Sequence, residues 1–401
     1  MKPVEFEPAL ARRMNGMKAS EIRELLKLLE QPGVISFAGG IPDPALFPAE
    51  AAAAAYSRAL RQPALALQYS VSEGYAPLRA WIAEFMRREG SPADPDNILV
   101  VAGSQQGLDF LGKLLISPGD TALTMAPTYL GALQAFSAYE PRYETIRPED
   151  GNATPAALRA SAEAAGGAVK FAYVVPDFAN PTGETLSLAA RHNLLDLAAA
   201  LEIPVLEDAA YRALRFSGVQ QPSLQALDVA RTGSLDASRV VYLGTFSKTV
   251  APGLRVGWVC AAKSIIRRLV LITQASELNV SVINQMVMLE LASQRQERLV
   301  ETGRANYRAK RDAMLGALDK YMTGKATWTR PDGGLFVWAT LDPSIDGATL
   351  LARAVEEAQV AFVPGKAFHA DGSGGNTIRL SYSLPSPAEI EEGIRRLAGL
   401  L

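Results

Sequence analysis

Lys248 stands at the end of an apolar run. In TFSKTVAPGLRVGW, residues 245–258, it follows Ser247, and Arg255 comes seven residues later, beyond a Pro-Gly pair. The preceding RVVYLGTF is rich in β-branched and aromatic residues and reads as a buried strand. A lysine leaving such a strand is costly unless it is solvated, paired or covalently used. A lysine can also snorkel its ammonium to water on a four-carbon stem, and this stretch alone allows both readings.

Three other strand-end segments carry polar residues that packing does not require. In VVAGSQQGLDFLG a strand meets Gly103 and Ser104 and a helix begins. Ser104 there reads as an N-cap, and a helix N-terminus with free N–H groups attracts anions; an ordinary capped turn would look the same. The stretch lacks a Walker pattern, and no G-x-G-x-x-G follows a strand. In YVVPDFANPTG, Asn180 precedes a Pro-Thr-Gly turn, for which turn initiation is a sufficient structural reason. In IPVLEDAAYRAL, Glu207 and Asp208 end a strand that alternates too little to face water, so an acid there needs a cationic or hydrogen-bonded partner. Tyr211 follows Asp208 at i+3, and one helical turn would bring its hydroxyl to the same side. Together these segments supply an anion cup, an amide, an acid with a phenol, and a lysine with an arginine. A phosphorylated aromatic aldehyde bound as a lysine imine employs every member. The lysine is the nucleophile, the helix N-terminus and arginine take the phosphate, the carboxylate meets the ring nitrogen, and polar groups hold the phenolic oxygen.

The elements that must position these groups follow from the pattern around them. From about residue 95 to 260, short apolar runs (NILVVAG, TALTMAP, KFAYVVP, IPVLEDAA, RVVYLGTFS, GWVCAA) alternate with helical stretches such as LDFLGKLLIS and LAARHNLLDLAAALE. That alternation predicts an α/β fold with a mostly parallel sheet covered on both faces, whose ligand crevice lies beyond the carboxyl ends of the strands. The last hundred residues differ. A long amphipathic helix near 290–320 leads into GGLFVWATL, a further helix, AFVPG and NTIRLSYS, which predicts a smaller α+β domain with an antiparallel or mixed sheet. The first fifty residues hold one clear helix, SEIRELLKLLE, and a Gly/Pro-rich segment, SFAGGIPDPALFP.

The whole chain resembles the fold-type I pyridoxal-phosphate aminotransferases of class I, and within them the 2-aminoadipate (LysN-like) and kynurenine branch. The stretches that carry this are SEIRELLKLLEQPGVISFAGGIPDPALFP, LQYSVSEGYAPLRAWI, GSQQGLDFLGK, NPTG, EDAAY, TFSKTVAPGLRVGW, RPDGGLFVW, AFVPGKAF and NTIRLSYS. The resemblance implies a large domain with a mostly parallel seven-stranded sheet between helices, over residues 51–295. It also implies a C-terminal small domain, 296–401, and an N-terminal arm and helix, 1–50, contributing to that small domain and to the substrate pocket.

The implied activity moves an amino group between an L-amino acid (2-aminoadipate, glutamate, a bulky apolar or an aromatic one) and 2-oxoglutarate or another 2-oxo acid, by a ping-pong route through an aldimine on Lys248. Lys248 would also shuttle the proton, and Asp208 would pair with the pyridinium nitrogen. Asn180 and Tyr211 would hold the phenolic oxygen. Ser104, Gln105, Thr245, Ser247 and Arg255 would bind the phosphate, Tyr129 would stack on the ring, and Tyr69 would reach the phosphate of a neighbouring subunit. A homodimer with shared active sites is therefore implied. Thr245 departs from the serine of many relatives but keeps the hydroxyl. Arg379 would clamp the substrate α-carboxylate, a task suited to guanidinium geometry, and Gly40 would offer it a backbone N–H. A strand-end arginine on the surface is the structural alternative. Ser20 and Arg23 lie three apart at the start of the first helix, where Arg23 would meet a distal acidic group; the alternative is an N-cap and a solvated residue.

Composition narrows the competing functions. A formal net charge of −2 argues against a nucleic-acid or anionic-membrane partner. A single cysteine, Cys260, excludes an intrachain disulfide and a cysteine metal cage, and His192 and His369 give no metal spacing. The N-terminus has no signal-like apolar stretch. Residues 121–139 are uncharged, but Pro127 and several polar positions make them a strand, a loop and a helix rather than a span, and the protein is expected in the cytoplasm. Regulators carrying an aminotransferase-like body behind a winged-helix domain are the alternative of another class; the body here starts within the first twenty residues, which is expected to leave no room for that domain. A lyase or decarboxylase on the same scaffold is the rival within enzymes.

Overall fold

The computed structural model describes residues 9–17 and 33–401 of the chain, so the helix SEIRELLKLLE, with Ser20 and Arg23, lies outside the described residues. A short 3-10 helix, Arg12–Gly16, comes first, and the first strand is the two-residue β1 (Ile35–Ser36). There follow β2 (Ile98–Val101), β3 (Thr121–Thr124), β4 (Arg142–Thr145), β5 (Val169–Val174), β6 (Val205–Asp208), β7 (Val240–Thr245) and β8 (Gly257–Cys260). These seven form one sheet in the order β2-β8-β7-β6-β5-β3-β4. β8 runs antiparallel to both of its neighbours and the other pairings are parallel. β2, β3, β6, β7 and β8 are buried along their whole length, which is why they read as continuous apolar runs rather than alternating ones. The sheet lies between helices, among them Ser104–Leu115, Leu130–Ser137 and Leu188–Leu201. The uncharged stretch 121–139 is β3, a loop and the helix Leu130–Ser137, as its prolines and polar residues predict.

Four strands form the second sheet, in the order β12-β13-β10-β9 with every pairing antiparallel: β9 (Ala326–Trp328), β10 (Phe336–Leu341), β12 (Val363–Pro364) and β13 (Thr377–Ser381). The short β11 (Val360–Ala361) pairs in parallel with β1, tying residues 35–36 to the C-terminal part. One helix, Val282–Tyr321, joins the two sheets. It starts earlier than the sequence pattern suggests and runs unbroken through the expected boundary at 295/296. A helix tolerates that crossing because its first half packs on the helices Ala49–Ala59 and Ala76–Arg88, and its second half on the C-terminal helix Pro387–Ala398.

Between β1 and the first helices, the segment 37–47 passes under the long helix. Lys310 Nζ donates to Asp43 Oδ2 at 2.7 Å and to the carbonyls of Ser383 and Leu384 at 3.1 Å, while Tyr307 Oη accepts from the Asp43 N–H at 3.0 Å. These bonds fix the segment that carries Ala38 and Gly40 into the site.

Candidate active site

The carboxyl ends of β2, β3, β5, β6 and β7 lie along one edge of the large sheet, and the chemistry-bearing residues lie at or just beyond them. β6 ends on Asp208, which is 3% exposed. Its Oδ2 accepts from Tyr173 Oη at 3.0 Å, and its Oδ1 is buried without a partner. Burial pushes the Asp208 carboxyl up to about 6, against the Tyr173 hydroxyl, the Ala210 N–H and the Lys248 charge, which pull it down. The neighbouring Glu207 needs no cation. Its oxygens accept from the Leu224 and Gln225 N–H groups at 2.9 Å, at the start of the helix Leu224–Thr232.

Lys248 follows β7 and keeps an accessible edge, but its ammonium is desolvated. It donates to the Gly40 carbonyl at 2.9 Å and sits 5.8 Å from the centre of the Tyr211 ring. Desolvation, then the charge of Arg379, lowers its pKa to about 8. Tyr211 is buried and meets Phe336 edge-on at 5.7 Å. It lies in a turn after β6 rather than in the helix its spacing suggested, because Asp208 is still extended. Its phenol is pushed up by burial.

Arg379, on β13, is 1% exposed, which sets aside the surface reading. Its Nη1 donates to Asn180 Oδ1 at 2.9 Å and its Nη2 to the Ala38 carbonyl at 2.6 Å, while Nε is buried without a partner. The guanidinium lies between the rings of Phe336 and Phe368, at 4.4 and 5.0 Å. Burial lowers its pKa to about 10. Asn180 is thus turned toward the arginine as well as forming the Asn-Pro turn.

The anion cup differs in one detail from the sequence reading. Gly103, not Ser104, is the N-cap of the helix Ser104–Leu115, and Ser104 is its first residue with no capping side chain. The reason is steric. Gly103 takes φ +81, and a Cβ there would collide with the Arg255 guanidinium, which donates to the Ala102 carbonyl at 2.9 Å. The helix start, with free N–H groups, and the Arg255 charge therefore share one corner. Thr245 Oγ1 and Ser247 Oγ are 2.9 Å apart at the end of β7. Gln105 Nε2 donates to the Gly131 carbonyl at 2.6 Å, and its Oε1 accepts from Tyr129 Oη at 3.3 Å. Burial raises the Tyr129 phenol to about 12. Tyr69 lies out on the surface, 78% exposed.

Tyr173 was absent from the sequence reading. Its signal is a hydroxyl inside the apolar run KFAYVVP, and only the register of β5 beside β6, Tyr173 opposite Leu206, brings it to Asp208. The carbonyls of Ala38 and Gly40 could not be found from residue type at all.

A cationic ring N–H fits the open oxygen of Asp208, a phosphate fits the corner of Gly103 and Arg255, and an aldehyde fits the desolvated amine of Lys248. The donor set present therefore suits pyridoxal phosphate. Among the described residues no cluster of His, Cys, Asp and Glu could hold a metal ion, and no helix is long and apolar enough to cross a membrane.

Comparison with known proteins gives the same chemistry. The family model "Aminotransferase class I and II" matches residues 32–397. The 2-aminoadipate transaminase of Thermus thermophilus is 42% identical over 406 residues, covering 100% of this chain and 98% of that protein. The aromatic-amino-acid aminotransferase 1 of Thermococcus litoralis is 40% identical, covering 98% and 94%. The crystal structure of LysN, the α-aminoadipate aminotransferase of Thermus thermophilus, complexed with N-(5'-phosphopyridoxyl)-L-leucine, superposes with a TM-score of 0.86 at 41% identity, covering 98% of this chain and 96% of that one. With that family model spanning nearly its whole length, the chain belongs to the class I and II aminotransferases, and is a fold-type I, pyridoxal-phosphate-dependent aminotransferase.

Proposed function

We propose that this enzyme takes 2-aminoadipate, glutamate and bulky apolar or aromatic L-amino acids as donors and 2-oxoglutarate as an acceptor, with Lys248 as its proton carrier. The observation that carries the reading is the juxtaposition of Lys248, with its pKa lowered to about 8, and the buried Arg379, whose charge helps to lower it. Bound pyridoxal phosphate supplies an acceptor for the electrons released when a bond at the substrate Cα breaks. Lys248 Nζ, partly neutral near pH 8, would take the proton from that Cα. Asp208 Oδ1 would hold the proton of the ring nitrogen, with Tyr173 fixing the carboxylate from behind. Asn180 and Tyr211 would face the phenolic oxygen and Tyr129 the ring. Ser104, Gln105, Thr245, Ser247 and Arg255 would hold the phosphate. Arg379, with its unpartnered Nε and its guanidinium close to the rings of Phe336 and Phe368, would take the substrate carboxylate beside Asn180 and Gly40.

Support for the substrates comes from relatives named for 2-aminoadipate and for aromatic amino acids, each matching almost the whole chain. Arg23, with Ser20, is the sequence's candidate for a distal acidic group. The enzyme would work as a cytoplasmic homodimer with Tyr69 completing the partner's phosphate site. Tyr69 sits in an exposed apolar segment with Leu67 and Val71, joined through the Ser70 N–H to Asn279 beside the exposed Leu278, and such patches mark protein interfaces.

The direct test follows the visible absorption of the holoenzyme. L-glutamate should shift it and 2-oxoglutarate should restore it, after which profiling of the 2-oxo acids formed ranks the donors. Arg23→Ala should depress turnover of 2-aminoadipate and glutamate far more than of leucine; equal losses would remove Arg23 from the pocket.

A further inference from the structure

The carbonyls of Phe37, Ala38, Gly39 and Gly40 are each taken by a different donor. Phe37 accepts from the Ser381 N–H of β13 at 2.8 Å, Ala38 from Arg379 Nη2 at 2.6 Å, Gly39 from Ser383 Oγ at 3.4 Å and Gly40 from Lys248 Nζ at 2.9 Å. Two of these donors, Arg379 and Lys248, are the cations assigned above to substrate and cofactor. A carboxylate at Arg379 and an aldehyde at Lys248 compete with the Ala38 and Gly40 carbonyls for them. The middle of the segment is therefore held most weakly when the site is loaded.

The ends of the segment do not depend on those two cations. The Phe37 N–H also donates to the Ala361 carbonyl of β11 at 2.7 Å. At the other end, Asp43 is held by the long helix, where Tyr307 and Lys310 lie three apart on one buried face. Tyr307 Oη accepts from the Asp43 N–H. Lys310 is 5% exposed, and its ammonium has three N–H donors for three acceptors: the Asp43 carboxylate and the Ser383 and Leu384 carbonyls. One buried charge thus grips both sides of the place assigned to the substrate carboxylate, just beyond Gly40 on one strand of chain and just beyond Arg379 on the other.

We propose that Lys310 and Tyr307 are positioning residues for the substrate α-carboxylate, holding Gly40 and Arg379 in register once Lys248 and Arg379 are engaged. This role rests on the reading in which Arg379 and Gly40 take that carboxylate. Both residues act through the backbone of 38–43, and Lys310 also through the chain that follows Arg379. Without them the two sides drift apart and the carboxylate is held less well in ground and transition states alike, a loss that shows in KM more than in kcat.

Leucine divided into two probes tests this on the holoenzyme. 4-Methylpentanoate keeps the carboxylate and lacks the amine; 3-methylbutylamine keeps the amine and lacks the carboxylate. Lys310→Met should weaken 4-methylpentanoate at least tenfold in calorimetric titration and raise KM for leucine and glutamate by a similar factor, with a smaller fall in kcat. The rate at which 3-methylbutylamine changes the visible absorption should stay within twofold of the wild type, which a general loosening of the site would not allow. Tyr307→Phe removes the acceptor of the Asp43 N–H without leaving a buried charge unpaired. It should weaken 4-methylpentanoate at least threefold, and it decides the matter if Lys310→Met fails to fold. Wild-type affinity for 4-methylpentanoate in the deciding variant, or equal losses for both probes, would overturn the role of the helix. Arg379→Lys tests the underlying reading separately. If it alone weakens 4-methylpentanoate, only the role of the helix falls; if it leaves that affinity unchanged, the carboxylate binds elsewhere and the proposal falls with the reading.

Discussion

Asp208 shows what a single side chain gives up for its task. Its carboxyl is raised to about 6 by burial, so in the protein without cofactor it favours the neutral form relative to the unfolded chain, where it titrates near 3.8. A raised pKa contributes stability that is fully present below the unfolded value and is lost as pH rises through the folded one. At pH 8 the ionised, half-unpartnered group is therefore a liability of about 3 kcal/mol, at roughly 1.4 kcal/mol per pKa unit. Asp208→Asn is expected to make the cofactor-free protein more stable at pH 8, by up to that amount, with the gain fading toward pH 4, while turnover of the loaded enzyme falls by about 10²-fold or more. Urea unfolding at the two pH values, beside steady-state rates, checks both halves; a variant less stable at pH 8 would count against the buried-charge account. At this scale the sequence was most legible where chemistry is written in residue type. Lys248, Asp208 and Asn180 could be singled out by kind and order, and Arg379 only through the family resemblance. Tyr173 could not, because its relevance depends on which strand lies beside β6.

At the scale of elements, the turn between β2 and the helix Ser104–Leu115 decides how closely an anion can approach. Gly103 holds φ +81 and ψ 160, a conformation nearly reserved for glycine, with the Arg255 guanidinium where a side chain would begin. Gly103→Ala should cost about 1–3 kcal/mol of stability and, by displacing Arg255, weaken pyridoxal phosphate binding by at least tenfold. Gly119→Ala is the comparison: φ is +93 but nothing lies within 4 Å, so stability should drop with cofactor affinity unchanged. Equal cofactor affinities in the two variants would separate Arg255 from the phosphate. The strands were readable as apolar runs bounded by turn residues because the sheet is covered on both faces. The misplaced cap was not, because serine is a good N-cap by type and only the backbone shows that glycine already fills the position. Glu207 is the same lesson in reverse, an acid that sequence could not pair because its partners are backbone N–H groups seventeen and eighteen residues on.

The whole molecule brings together residues from both ends of the chain. The carbonyls of Ala38 and Gly40 serve Arg379 and Lys248, which are 341 and 208 residues away. No local pattern announces such pairings, which is why the two-part architecture was legible and the contacts between the parts were not. If Tyr69 completes a neighbour's site, mixing inactive Tyr69→Ala and Lys248→Ala proteins under exchange conditions should restore activity, since one site in each mixed dimer keeps both residues. Mixtures that stay inactive despite exchange would make each site self-contained.

The helix Val282–Tyr321 has a consequence for how the protein comes apart. Forty residues at 1.5 Å each make a rod of about 60 Å, packed at one end on the helices of the large sheet and at the other on the C-terminal helix. Neither sheet can lose its packing without stripping one half of the rod, and an exposed half destabilises the other. Two sheets would ordinarily suggest two melting steps; the shared rod predicts one calorimetric transition, with calorimetric and van't Hoff enthalpies in agreement.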